Sequence, residues 1–175
     1  MVNYFEIFGL PVSFHPPQDL VRKKYYELSR KHHPDRFAQE PKDEAINALQ
    51  MSALINDGYK ILKDADATVE YVLRLEGVLE TDEKYSLPQS FLMEVMDLNE
   101  AVSEYEMLRT EESKQMSLVT LEEQNTALKN KMDHLLNSYD AGNKTSESLA
   151  QIKDCFFRKK YLLRIQKRIT TFASP

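Results

Sequence analysis

Apolar residues recur three and four positions apart over most of the chain, the period of an amphipathic helix. Residues 3–8 read as a short helix that ends at Gly9-Leu10-Pro11. Pro16-Pro17 followed by Gln18-Asp19 marks a second start, because proline is tolerated in a first helical turn. That helix runs to about Lys31, with Val21, Tyr25, Leu28 and His32 as its buried stripe. Pro34 cannot continue a helix and pushes His33 toward an extended backbone, which predicts a loop to about Gln39. Pro41 opens a third helix to about Leu62, with Ala48, Ser52, Ile55, Tyr59 and Leu62 on one face. A fourth, about Asp66 to Glu76, stops at Gly77, a favoured helix terminator.

Residues 77–87 read as a linker. Ser86-Leu87-Pro88-Gln89 has the form of a capping box with proline in the first turn, so a new helix starts there. Three long helices are predicted, about 88–109, 112–138 and 146–172, with Asp140-Ala141-Gly142-Asn143 separating the last two. On the first, Phe91, Val95, Leu98, Val102 and Tyr105 form a core stripe spaced four, three, four, three. On the second the stripe is Leu118, Leu121, Leu128, Met132, Leu135 and Tyr139, and on the third Leu149, Ile152, Phe156 and Leu163. The expected fold is all-α. Residues 1–76 form an antiparallel helix pair with two accessory helices, and residues 88–175 form a three-helix bundle.

Composition agrees with this picture. Hydrophobic residues make up 42% and charged residues 29% of the 175, which is a globular balance, and 4 glycines and 7 prolines favour helices. No apolar run approaches the ~20 residues that span a bilayer. The first residues have neither the form of a signal peptide nor that of an organellar transit peptide, so a cytoplasmic location is expected, with no membrane partner. One cysteine, Cys155, excludes an intramolecular disulfide framework and a metal site built from this chain's thiolates alone, and reads as a buried small apolar residue. The net charge of -5 argues against nonspecific nucleic-acid binding.

The charge is unevenly spread. Residues 77–110 carry 2 basic and 8 acidic groups, so the first bundle helix is the acidic element. The second helix of the chain is a local basic island. At 100° per residue, Arg22, Lys23, Tyr26 and Arg30 project away from the Val21–Tyr25–Leu28 stripe, with Lys24 and Lys31 at the edge. This face leads into His33-Pro34-Asp35 and Arg36-Phe37, at the tip of the helix pair. A basic face ending in a rigid polar tip is a docking surface for an acidic partner. His33 and Asp35 could also move protons. No nucleophile, metal-ligand cluster or glycine-rich phosphate loop accompanies them, so the chain is not expected to be an enzyme, and no metal or cofactor is expected. His15 and His134 read as ordinary loop and helix-surface residues.

The constellation over residues 1–76 resembles a J-domain, the module that stimulates ATP hydrolysis by DnaK-type chaperones. The resemblance implies that His33, Pro34 and Asp35, with Arg22, Lys23, Tyr26, Arg30, Lys31 and Arg36, engage such a chaperone.

On the first bundle helix, Leu92, Met93 and Met96 lie off the core stripe and share their side with Asp97, Glu100 and Glu104. An apolar patch rimmed by carboxylates is covered either by a partner or by another part of this chain. The segment Phe91-Leu92-Met93-Glu94, with Met96, Asp97, Glu100 and Glu104, resembles the scaffold-binding helix of the HscB family, the J-type co-chaperones of iron–sulfur cluster assembly. Length and two-domain plan also match. The resemblance implies that the patch binds the cluster scaffold IscU, with Phe157 of the last helix completing it, and that the J-domain engages the chaperone HscA. Some eukaryotic relatives carry an N-terminal metal-binding cysteine module; this chain fits the bacterial form. A J-protein adaptor for a different client is the alternative.

Overall fold

A computed structural model describes residues 1–37 and 41–172, and every regular element among them is helical. The chain divides into two compact units. The first comprises Met1–Glu80 and Tyr139–Gly142, the second Thr81–Ser138 and Asn143 onward.

In the first unit, α1 (Tyr4–Phe8) starts where the Asn3 side chain accepts from the Phe5 and Glu6 amides, and ends at Gly9, whose left-handed φ of 63° suits glycine. Helices α2 (Gln18–Lys31) and α3 (Lys42–Leu62) pack antiparallel: Gln18 donates to the Leu62 carbonyl, and Tyr25 bonds Asn56 and stacks on Tyr59. Helix α4 (Ala65–Leu75) is capped by Asp64, which accepts from the Ala67 amide at 2.8 Å. Phe5, Phe8, Phe14, Val21, Ile55, Leu62, Val72 and Leu73 are buried. Of the expected α2 stripe only Val21 is fully buried; Tyr25, Leu28 and His32 are half-buried, because they lie at the open end of the pair. Burial lowers the His32 pKa, and neighbouring Lys31 adds to the effect.

A second segment from far downstream, Tyr139–Gly142, completes this unit. Tyr139 is buried with its ring edge-on to Phe14. The Asp140 carboxylate accepts from the Ser13 hydroxyl and from the amides of Phe14 and His15, at 2.9 to 3.0 Å. His15, expected to be an ordinary loop residue, is therefore part of a clamp, with Nδ1 3.3 Å from the same carboxylate.

The second unit contains α5 (Gln89–Glu94), α6 (Met96–Leu108), α7 (Glu111–Asp140, its last two residues belonging to the first unit) and α8 (Ser146–Phe172). The single helix expected over 88–109 is two. It breaks at fully buried Val95, and two side-chain amides take up the carbonyls at the break: Gln124 donates to Glu94 and Asn99 to Val95. The core joins Phe91, Val95, Leu98, Val102 and Tyr105 to Leu121 of α7 and to Leu162, Ile165 and Ile169 of α8. All five residues of the expected first stripe are in it. Ser117, wholly buried, places its hydroxyl 2.8 Å from the Ala101 carbonyl, and two small residues let α6 and α7 approach there.

On α8 the expected stripe follows one edge of the buried face. Leu149, Ile152 and Phe156 are buried but Leu163 is exposed, and the core position is Leu162. The buried face runs Ile152, Cys155, Arg158, Leu162, Ile165, Ile169, and a charged residue in its middle hides it from a hydrophobicity pattern. Cys155 is buried, and burial pushes its thiol pKa up. The segment expected as a linker is divided between the units, and its second half packs on α8.

Candidate functional site

Two exposed sites stand out, one in each unit. In the first unit, α2 ends at His32, whose amide still donates to the Leu28 carbonyl. Pro34 then fixes its own φ and removes an amide donor, so the chain leaves the helix. Where a loop to Gln39 is expected, Pro34–Phe37 form a 3₁₀ turn closed by the Arg36 amide on the His33 carbonyl at 3.0 Å; Ala38, Gln39 and Glu40 lie outside the described residues. The Arg36 guanidinium donates to the Arg30 carbonyl at 3.2 Å and ties the turn to the last turn of α2.

Within the turn, His33 Nδ1 accepts from the Asp35 amide at 3.3 Å and lies 3.5 Å from the Asp35 carboxylate. An Nδ1 used as acceptor leaves the proton of the neutral ring on Nε2. The imidazole is thus held by its near edge while the far edge faces solvent, and the Asp35 side chain is 90% exposed. Among the described residues, the contacts of His33 and Asp35 include no nucleophile and no third partner. The geometry suits recognition by another protein.

Arg22, Lys23, Tyr26, Arg30 and Lys31 are all exposed. Arg22 pairs with Asp19 at 2.8 Å, both in water, where such a pair contributes little. Lys23, Arg30 and Lys31 have no ion pair among the described residues. Basic groups also gather at the C-terminal end of α2, where the helix dipole favours them.

In the second unit, the break at Val95 sits inside the apolar–acidic patch. Leu92 (46% exposed), Met93 (70%) and Met96 (55%) are open to solvent, as are Asp97, Glu100 and Glu104. Their α5–α6 neighbours Phe91, Val95 and Leu98 are buried to within 2%. One stretch therefore has two faces, one spent on the core and one with no covering from its own unit. Met107, 77% exposed, continues the open face eleven residues beyond Met96, a spacing that returns to nearly the same side of a helix. Its place at the end of α6 left it outside the sequence motif.

Helices α6 and α8 run side by side and parallel: Glu94 pairs with Arg158, Asn99 with Tyr161 and Glu106 with Arg168. Phe157 thus stands level with the Met93–Glu94 turn. It is not the open side chain expected of the patch. It is half-buried, with one ring face stacked on Tyr85 at 4.3 Å and 5°. The reason is the segment before α5, which packs on α8 instead of spanning freely.

Arg158 holds this corner together. It is 9% exposed, lies over the Phe91 ring at 4.7 Å, reaches Glu94 at 3.4 Å, and places Nε 2.7 Å from Asp154 as an ion pair without hydrogen-bond alignment. Asp154 in turn accepts from the Tyr85 hydroxyl at 2.9 Å. Burial first, then that bond and the Asp154 charge, push the Tyr85 pKa up to about 12. Tyr85 and Arg158 were not legible as site residues, since one lies in an apparent linker and the other reads as surface charge.

Comparison with known proteins bears on both sites. The model of the DnaJ domain matches residues 3–71, and that of the HSCB C-terminal oligomerisation domain matches residues 87–170. A co-chaperone protein HscB homolog of Vibrio cholerae serotype O1 (strain M66-2) is 40% identical over 100 residues, 57% of this chain and 58% of that one. The matched stretch thus spans somewhat over half the length of the Vibrio relatives. An HscB homolog of Psychromonas ingrahamii is 28% identical over 169 residues, covering 96% of this chain and 99% of the relative. Among solved structures, chaperone HscB from Vibrio cholerae superposes with a TM-score of 0.60 at 25% identity, over 95% of this chain and 98% of that one. Human co-chaperone protein HscB superposes with a TM-score of 0.70 at 23% identity, over 100% and 84%, a likeness of fold.

Proposed function

We propose that this chain, which belongs to the HscB family of co-chaperones with an N-terminal J-domain, stimulates the ATPase of the DnaK-type chaperone HscA and delivers the iron–sulfur scaffold IscU to it during cluster assembly and transfer. The observation that carries the reading is the pairing, in one chain, of an exposed basic tip in one unit and an exposed apolar–acidic patch in the other.

The tip acts on the chaperone. Arg22, Lys23, Arg30, Lys31 and Arg36 attract an acidic surface, and Tyr26 adds an apolar contact. His33, Pro34 and Asp35 enter as a pre-formed turn, so little chain entropy is lost on docking. The 3₁₀ closure and the Asp35 amide on His33 Nδ1 support that pre-organisation.

The patch takes the scaffold. Leu92, Met93 and Met96 supply apolar anchors, half-buried Phe157 adds the aromatic surface it keeps exposed, and Asp97, Glu100 and Glu104 select a basic rim on the partner. Holding client and chaperone on one chain raises the local concentration of each for the other. ATP and the cluster belong to the partners; this chain is a bacterial cytoplasmic adaptor without chemistry of its own.

Calorimetric titration of purified IscU into Leu92→Ala/Met96→Ala tests the reading. We expect a loss on the order of a few kcal/mol of binding, because a few anchors dominate most interfaces. The melting temperature should hardly move, as both residues are about half exposed and lie outside the core. Stimulation of the chaperone by the variant alone should persist, and the added effect of scaffold should vanish. Full affinity in the variant would point to an adaptor for another client.

A further inference from the structure

The stretch between Thr81 and Pro88, a linker by its sequence, is an extended strap on the second unit. After a turn at Thr81-Asp82, where Asp82 takes a left-handed φ of 55°, Glu83, Tyr85 and Leu87 are half-buried while Lys84 and Ser86 are exposed, the alternation of an extended chain with one face covered. Each covered side chain has a partner. Glu83 pairs with Lys153 of α8, both about one-fifth exposed. Tyr85 donates to Asp154. Leu87 packs against the bundle core.

Tyr85 does most with its place. Its ring lies parallel to that of Phe157, and Phe156 meets the same ring edge-on at 5.4 Å and 77°. Lys160 stands over Phe156 at 4.5 Å and 5.9 Å from the centre of Phe157. A phenylalanine on a helix surface ordinarily exchanges among rotamers, and a partner that needs one of them must order it at a cost. Here the ring is ordered in advance. The Asp154–Arg158 pair fixes the hydroxyl end of Tyr85, and the stack fixes Phe157.

We infer that Tyr85 is a positioning residue of the scaffold-binding site, which through the stack holds Phe157 in the orientation that receives an apolar side chain of the docked scaffold. The inference rests on the reading of Phe157 as part of that site. It gives the strap a second task besides joining α4 to α5.

The test is titration of purified IscU into the full chain carrying Tyr85→Ala, Tyr85→Leu or Tyr85→Phe, with Leu92→Ala/Met96→Ala alongside and a melting curve for each. Without the ring, Phe157 must be ordered on binding, so Tyr85→Ala and Tyr85→Leu should bind about 3- to 10-fold more weakly, the cost of immobilising one side chain. Tyr85→Phe loses the hydroxyl bond but keeps the ring that stacks on Phe157 and the packing of the strap around it; it should melt lower yet bind as the natural chain does, because the stack is what orders Phe157. Affinity that follows melting temperature across the three variants would mean a structural role and overturn the inference. So would natural or tighter affinity in Tyr85→Ala while Leu92→Ala/Met96→Ala has lost binding, and that outcome would leave the site itself standing. Full affinity in Leu92→Ala/Met96→Ala would remove the site, and the inference with it.

Discussion

At the scale of single residues, function and packing are sharply separated. His33 contributes almost nothing to the core: its ring is exposed, and among the described residues its side-chain contacts are with Asp35. His33→Gln should therefore leave the melting curve unchanged and abolish stimulation of the chaperone, as a steady-state ATPase assay would record. Gly58 is the opposite case. A Cβ there would sit 2.9 Å from the Phe8 ring and 2.9 Å from the Tyr4 ring, so α1 lies on α3 only because the position has no side chain. Phe8 is 1% exposed and cannot swing away. Gly58→Ala gains helix propensity of up to ~1 kcal/mol but should lose more to overpacking, typically 1–3 kcal/mol. Urea denaturation of the variant should show a net loss of stability.

At the scale of elements, amphipathic helices are legible where both faces have simple chemistry. The α5–α6 stripe is such a case: all five expected core residues are buried, and the three expected outward residues are exposed. The break at Val95 was not legible, since neither proline nor glycine causes it and one of the two amides that stabilise it comes from Gln124, 30 positions beyond Glu94. On α2 the buried stripe is weaker than its pattern, and the exposed basic face is complete. That face should act through long-range attraction. Arg22→Glu with Lys23→Glu should weaken engagement of the chaperone by slowing association, and natural engagement should weaken with added salt, since exposed charges are screened beyond ~8 Å at physiological ionic strength. Stopped-flow association at two salt concentrations reads this directly; rates that ignore both salt and charge reversal would make the face a mere solvated surface.

At the scale of the whole molecule, each unit contains a tyrosine whose hydroxyl faces a carboxylate. Tyr85 in the second unit has its pKa pushed up to about 12. Tyr139 in the first is raised by burial, by its bond to Glu76 and by the charges of Glu76 and Asp140. Unfolded tyrosine ionises near pH 10. A folded pKa above that means the neutral phenol is the form the fold prefers, so this stability is whole below pH ~10 and is lost as pH rises toward the folded value. Melting temperature should accordingly fall from about pH 10 upward, and Tyr85→Phe should flatten the part of that fall belonging to the second unit. Calorimetric scans from pH 8 to 12 with tyrosinate absorbance followed in parallel would test it; a decline unaltered by Tyr85→Phe would refute the assignment.

The sequence alone determined what depends on local periodicity and local chemistry: seven helical segments nearly in place, the end of α2 before Pro34, the two faces of α5–α6, and the residues of the His33–Asp35 tip. Such features follow from neighbours within a turn or two, and the sequence records those neighbours directly. Tertiary structure decided what depends on residues far apart in the chain. It recruited Tyr139 and Asp140 into the first unit by bonding them to residues 13–15. It placed Arg158 in the core of α8 beside Asp154, Glu94 and Phe91, so that Leu162 and not Leu163 points inward. It also folded an apparent linker onto α8, where Tyr85 covers Phe157. In each case a charged or polar residue is wholly or partly buried against a partner distant in the chain, and hydrophobic periodicity has no means of recording that compensation.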